Sequence, residues 1–172
     1  MSQRLAFLSR LRSGRQADRL SELSISLCET MEAELTDARL GTWKRPHAGA
    51  ALAGGLIGAV GVLAIRARSE QDLLARFEDS YWRRLRSSLP AESRAALVAE
   101  MGQGRQIYLG HMRGSGGMLE REGLAPAIVW HLGSSIDGAA EGDPSEGPLR
   151  AVAEAAAYRC AQAYQYLHFH MN

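Results

Sequence analysis

With 20 basic and 19 acidic side chains in 172 residues, the chain is formally +1 at neutral pH and lacks the basic surplus of a dedicated nucleic-acid binder. It is long enough to bury a core without a disulfide or metal. Its two cysteines, Cys28 and Cys160, form no CxxC, which argues against a disulfide scaffold or zinc ribbon and for buried thiols in a reducing compartment.

The opening stretch, MSQRLAFLSRLRSGRQADRL, carries Arg4, Arg10, Arg12 and Arg15, with Leu5, Leu8 and Leu11 on one helical face. It is basic and amphipathic, as are transit peptides, membrane-surface helices and short solvated helices, and it shows no secretory signal. Leu20, Leu23, Leu27, Met31, Leu35 and Ala38 then recur at the α-helical period, with Glu22, Glu29, Glu32 and Asp37 opposite. This pattern predicts a helix over 16–40, stopped by Gly41 and the break Lys44-Arg45-Pro46.

Residues 48–65, AGAALAGGLIGAVGVLAI, contain no charge and no proline. Ser69-Glu70-Gln71-Asp72 resembles a capping box, so a new helix is expected near 70, with Leu74, Phe77, Tyr81 and Leu85 as its apolar face. Asp72–Arg76 and Asp79–Arg83 have the spacing of i,i+4 ion pairs. Pro90 interrupts this helix and starts another through Leu97 and Val98 to Met101. The run GQGRQIYLGHMRGSGG (102–117) reads as a glycine-rich break in which Ile107-Tyr108-Leu109 could be a helical turn or a strand. Residues 118–136 read as helix, with Pro126 near its start and Ile128, Val129, Leu132 and Ile136 apolar. GAAEGDPSEGP (138–148) has linker composition. The last helix repeats Leu149, Ala153, Ala156, Cys160, Ala163, Leu167 and His170 as a heptad-like seam of mostly small residues, suited to close docking on a neighbour.

The fold class is therefore all-α, with no convincing strand. The chain divides into an amphipathic segment (1–47), the Ala/Gly-rich rod (48–65), a helical domain (69–137), the linker (138–148) and a docking helix (149–172). The rod is the pivotal element. Its eighteen residues reach the length of a membrane-spanning candidate, flanked by Lys44, Arg45, Arg66 and Arg68 with Trp43 at its edge. Only seven of them are Leu, Ile or Val and five are glycine, so its insertion as a lone helix is marginal. Ala50, Gly54 and Gly58 form a small-residue ridge that favours a partner helix. The alternative is a core helix buried on all sides of a bundle. Length favours the span.

Chemistry is sparse. His168 and His170, at i,i+2, fall on different helical faces, and His111 and His131 could join them only through tertiary contacts, so no metal site is expected. The glycines of 102–117 match no phosphate-binding motif. Ser134-Ser135 has no evident base, and Glu120 and Glu122 point to different faces. Arg83, Arg84 and Arg86 beside Tyr81 and Trp82 form a basic–aromatic cluster suited to anionic lipid or an acidic partner surface. The first functional expectation is a non-enzymatic, membrane-anchored accessory or assembly subunit of a bacterial inner membrane. It would have protein partners or self-associate, using no cofactor and no nucleic acid. The second is an adaptor or structural bundle, cytoplasmic, with 48–65 as core, and the third is a small helical metal binder or enzyme.

Overall fold

In the computed structural model, which describes residues 2–114, 121–137 and 147–172, with side chains described from residue 12 onward except at 114, 121 and 122, the fold is all-α. The elements run α1 (Ser2–Asp37), β1 (Thr42–Trp43), α2 (Ala48–Ala64), α3 (Glu70–Leu85), α4 (Ser93–Gly114), α5 (Arg121–Ser135), β2 (Ile136–Asp137) and α6 (Pro148–His170). Two short strands, absent from the sequence reading, pair antiparallel with Thr42 opposite Asp137 and Trp43 opposite Ile136. They tie the entry of α2 to the exit of α5, and Ile136 is buried in this ladder rather than in a helix.

α2 is the axis of the bundle. It packs most extensively on α4 and α1, then on α6, with further contacts to α3 and α5, while α1 pairs with α3 and α5 with α6 around it. Every residue from Ala48 to Gly61 is buried, and Ala64 as well. The expectation of a membrane span is corrected here. The surroundings of the rod are the chain's own helices, and among the described residues no helix is long and apolar enough to cross a membrane. Burial of Leu56, Ile57 and Val60, each at most 2% exposed, contributes roughly 1.5–3 kcal/mol per side chain.

A glycine-rich helix offers its neighbours little apolar area of its own, and large side chains from the outer helices fill the space around it. Leu20 of α1 fills the space at Gly61, where an added Cβ would lie 2.8 Å from its Cδ2. Met101 and Tyr81 occupy the space at Gly54, Phe77 and the stem of Arg105 that at Gly58, and the Trp43 indole that at Gly49. At Gly55 the neighbour is backbone: a Cβ there would lie 3.3 Å from the Arg105 nitrogen and the Met101 oxygen, so α2 and α4 are close to main-chain contact. Small residues on the central rod thus receive large ones from around it, which gives close packing without a bulky axis.

That contact explains a second correction. α4 does not end at Met101 but continues through Gly102, Gly104 and Gly110 to Gly114, so Ile107-Tyr108-Leu109 is helical. Glycine weakens an isolated helix by about 1 kcal/mol per residue, but packing on α2 outweighs local propensity here. Tyr108, Leu109 and Met112 are buried. Residues 115–117 of the glycine-rich run and 138–146 of the expected linker lie outside the described residues.

α1 ends differently from the prediction. Leu40 N–H bonds to Leu35 O at 3.0 Å and Arg39 N–H to Thr36 O at 3.1 Å, with Arg39 at φ 53°. This is a Schellman closure with arginine in the left-handed position that glycine would favour. Gly41, expected to be the stop, has φ 113° and serves a close approach instead: a Cβ there would sit 1.9 Å from the Asp137 carbonyl oxygen, across the strand pair. The other local expectations mostly agree. Ser69 Oγ accepts the Asp72 N–H at 3.1 Å, and Arg76 pairs with Asp72 at 3.0 Å. Asp79, however, pairs with Arg94 of α4 at 2.7 Å, and Arg83 Nε donates to the Asp79 main-chain oxygen. On α6, Ala153, Ala156, Cys160, Ala163 and Leu167 are buried along one seam, while His170 is exposed.

Candidate functional site

The break Lys44-Arg45-Pro46 delivers the chain to the first turn of α2, and the β1–β2 ladder holds that turn against the end of α5. Lys44 N–H donates to Ser135 O at 2.9 Å and Lys44 Nζ to Ser134 O at 3.1 Å. Between this corner and α4 lies a cleft of about 400 Å³. Arg45, Glu100, Gln103, Tyr108 and His131 supply its polar lining, and Leu52, Ile107 and Trp130 its apolar lining.

Two hydrogen-bonded units fix the polar groups. Glu100 accepts from Arg45 Nη2 at 3.0 Å and from His47 Nε2 at 3.1 Å, so Nε2 is the donor of this imidazole to the carboxylate. His47 Nδ1 is buried without a partner among the described residues. In the second unit, Tyr108 Oη meets His131 Nδ1. Burial pushes the Tyr108 phenol well above its ordinary ionisation range, with a smaller contribution from Cys160, so the hydroxyl stays protonated and donates. Burial also holds the His131 ring below its ordinary pKa, against a smaller upward pull from Glu100. The ring is therefore neutral near pH 7, accepts at Nδ1 and keeps its remaining N–H on Nε2.

The cleft's mouth is apolar and open. Trp130 is 65% exposed and Ile107 41%, unusual in a bundle that buries most of its large apolar side chains. The Trp130 and His131 rings lie 5.0 Å apart in a tilted arrangement. Among the described residues that line the cleft, Glu100 is the only acid.

The residues singled out from the sequence are dispersed. Ala50, Gly54 and Gly58 are buried inside the bundle, where Ala50 O accepts the Tyr81 hydroxyl at 3.0 Å and the glycines receive α3 and α4 side chains. Ala153, Ala156, Cys160 and Ala163 lie buried on α6, which packs on α5, α2 and α1. Burial pushes the Cys160 thiol up to about 12. Cys28, half-buried, is likewise pushed up to about 12 by burial, reinforced by Glu32 and Glu29. The basic cluster divides: Trp82, Arg83 and Arg86 share one concavity, whereas Arg84 turns to Glu22 of α1 at 3.3 Å. His168 stacks on Tyr164 and His170 lies against Tyr166. Among the described residues no three His, Cys, Asp or Glu side chains converge as a metal site. His131 and the Ser134-Ser135 pair line the cleft. The side chains of Glu120 and Glu122 lie outside those described.

Sequence reasoning missed Arg45, His47 and Glu100 as parts of one site, because contacts spanning more than fifty residues join them, and with them Gln103, which lines the same cleft. One signal was present: Trp130 falls between the apolar positions of α5, and a tryptophan off the buried face is a contact candidate. No protein-family model, no curated protein and no solved structure matches the chain.

Proposed function

We propose that the chain is a non-catalytic helical-bundle adaptor that captures an apolar side chain of a partner protein in the cleft between α4, α5 and the start of α2. The carrying observation is Trp130, 65% exposed at the mouth of a concavity that also offers Ile107 and Leu52. Interface hot spots are enriched in tryptophan next to a pocket ringed by polar groups. The polar lining favours recognition over turnover. Glu100 is engaged by two donors, and burial holds the Tyr108 phenol protonated, so it presents a fixed hydrogen-bond donor rather than an exchangeable proton. This role keeps the accessory-subunit expectation and dispenses with an anchor, since the rod that would have served as one is enclosed by the other helices.

Site-specific photo-crosslinking tests it. A photoreactive phenylalanine at position 130 or 107, introduced in the native host, is expected to give a discrete adduct with one partner. The same probe at exposed Tyr158, on the outer side of α6, should not. Trp130→Ala should lower recovery of that partner at least tenfold while leaving the melting temperature within a few degrees. Equal adducts at all three positions, or none at any, would overturn the proposal.

A further inference from the structure

The end of α3 and the start of α4 form a second concavity, which shares no lining residue with the cleft and which the adaptor reading leaves unused. It encloses about 400 Å³ and is lined by Asp79, Trp82, Arg83, Arg86 and Arg94. Three guanidinium groups against one carboxylate leave a surplus of two positive charges in one hollow. Asp79 is engaged by Arg94 Nη2 at 2.7 Å, so its charge is already matched. Arg83 spends one N–H on the Asp79 main-chain oxygen, and guanidinium carries five donors in a planar fork, so most of its capacity remains. Arg86 is exposed, and its side chain makes no hydrogen bond or ion pair among the described residues. A last-turn arginine can be explained by the helix dipole alone. That explanation does not cover Arg94, which comes from the first turn of the next helix and turns back into the same hollow.

Guanidinium forks match the oxygens of a phosphate in bidentate geometry, and several of them together select a compact, multiply charged anion. The half-buried Trp82 adds an apolar wall beside that position. We infer that Arg83, Arg86 and Arg94 form a binding site for a phosphate group, carried by a soluble phosphorylated compound or by a lipid headgroup. Arg84 is not part of it, because it is drawn to Glu22 on α1.

The test uses the full-length protein, two phosphate probes and a polyglutamate peptide as the competing acidic probe. Calorimetric titration with pyrophosphate at fixed ionic strength reports a soluble source. Co-sedimentation with phosphatidylcholine vesicles, with and without phosphatidic acid, reports a headgroup source. Saturable binding in either arm is expected, weakened at least tenfold by the double variant R83Q/R86Q. The charge-matched control R66Q/R68Q, exposed arginines before α3, should change it less than twofold. Thermal melts of both variants establish that they fold. Absence of binding in both arms would overturn the inference. So would equal weakening by the control pair, or binding only to a polyglutamate peptide, which would assign the hollow to an acidic protein surface.

Discussion

Replacing single glycines by alanine tests the packing of α2 at the resolution of one methyl group. Alanine gains about 1 kcal/mol over glycine in a helix interior when nothing opposes the added carbon. Gly110 in α4 and Gly133 in α5 meet that condition, with no packing atom of the described residues within 4 Å of an added Cβ. Gly110→Ala and Gly133→Ala should each raise the melting temperature by roughly 2–4 °C in a chain of this size. At Gly55 the Cβ would lie 3.3 Å from two backbone atoms of α4, which cannot rotate away. Overpacking of this kind costs about 1–3 kcal/mol, which meets or exceeds the propensity gain, so Gly55→Ala should lower stability by about 1 kcal/mol. Gly58 is intermediate: its Cβ would reach 3.4 Å from Arg105 Cδ and Phe77 Cε1, an ordinary contact with side chains that can adjust. Thermal and urea unfolding of the variants should rank Gly110→Ala above Gly58→Ala above Gly55→Ala. An equal rise at Gly55 and Gly110 would refute the main-chain approach of α2 and α4.

Arg39→Gly should stabilise the protein by about 1 kcal/mol in urea unfolding, because arginine occupies a left-handed position at the end of α1; a loss of stability would show that the arginine side chain outweighs its backbone cost. The pH dependence follows from His131. Its folded pKa is lowered, so the neutral ring contributes stability that is fully present above the unfolded value of about 6.5 and is lost as pH falls through that value toward the folded one. Comparison with His131→Gln across pH 7 to 4 should show a shallower decline in the variant, and parallel curves would contradict the assignment.

The surface-to-core pattern of α1 and α3 was legible because each presents a single apolar face at helical spacing, and Ser69 announced the start of α3 with its own hydroxyl. The identity of α2 was only half legible. A rod apolar on every side satisfies lipid and protein alike, and its small residues gain meaning only from Leu20, Tyr81, Met101 and Arg105, which other helices bring to it. The full length of α4 is not legible, because Gly102, Gly104 and Gly110 carry a local signal against helix, while the opposing signal is a tertiary contact with α2. The cleft was least legible. Its Tyr108–His131 pair joins α4 to α5 and its Arg45–Glu100 pair joins the break before α2 to α4, and no spacing rule links the partners.

Enclosure of α2 by the chain's own helices is the claim on which the rest depends, and hydrogen exchange in detergent-free buffer measures it directly. The amides from Ala53 to Val60 should be the slowest in the protein, exchanging only through global unfolding, with their opening free energy equal to that from denaturant titration. Protection of this segment that appears only in detergent or bilayer mimetics, with fast exchange in plain buffer, would contradict the account.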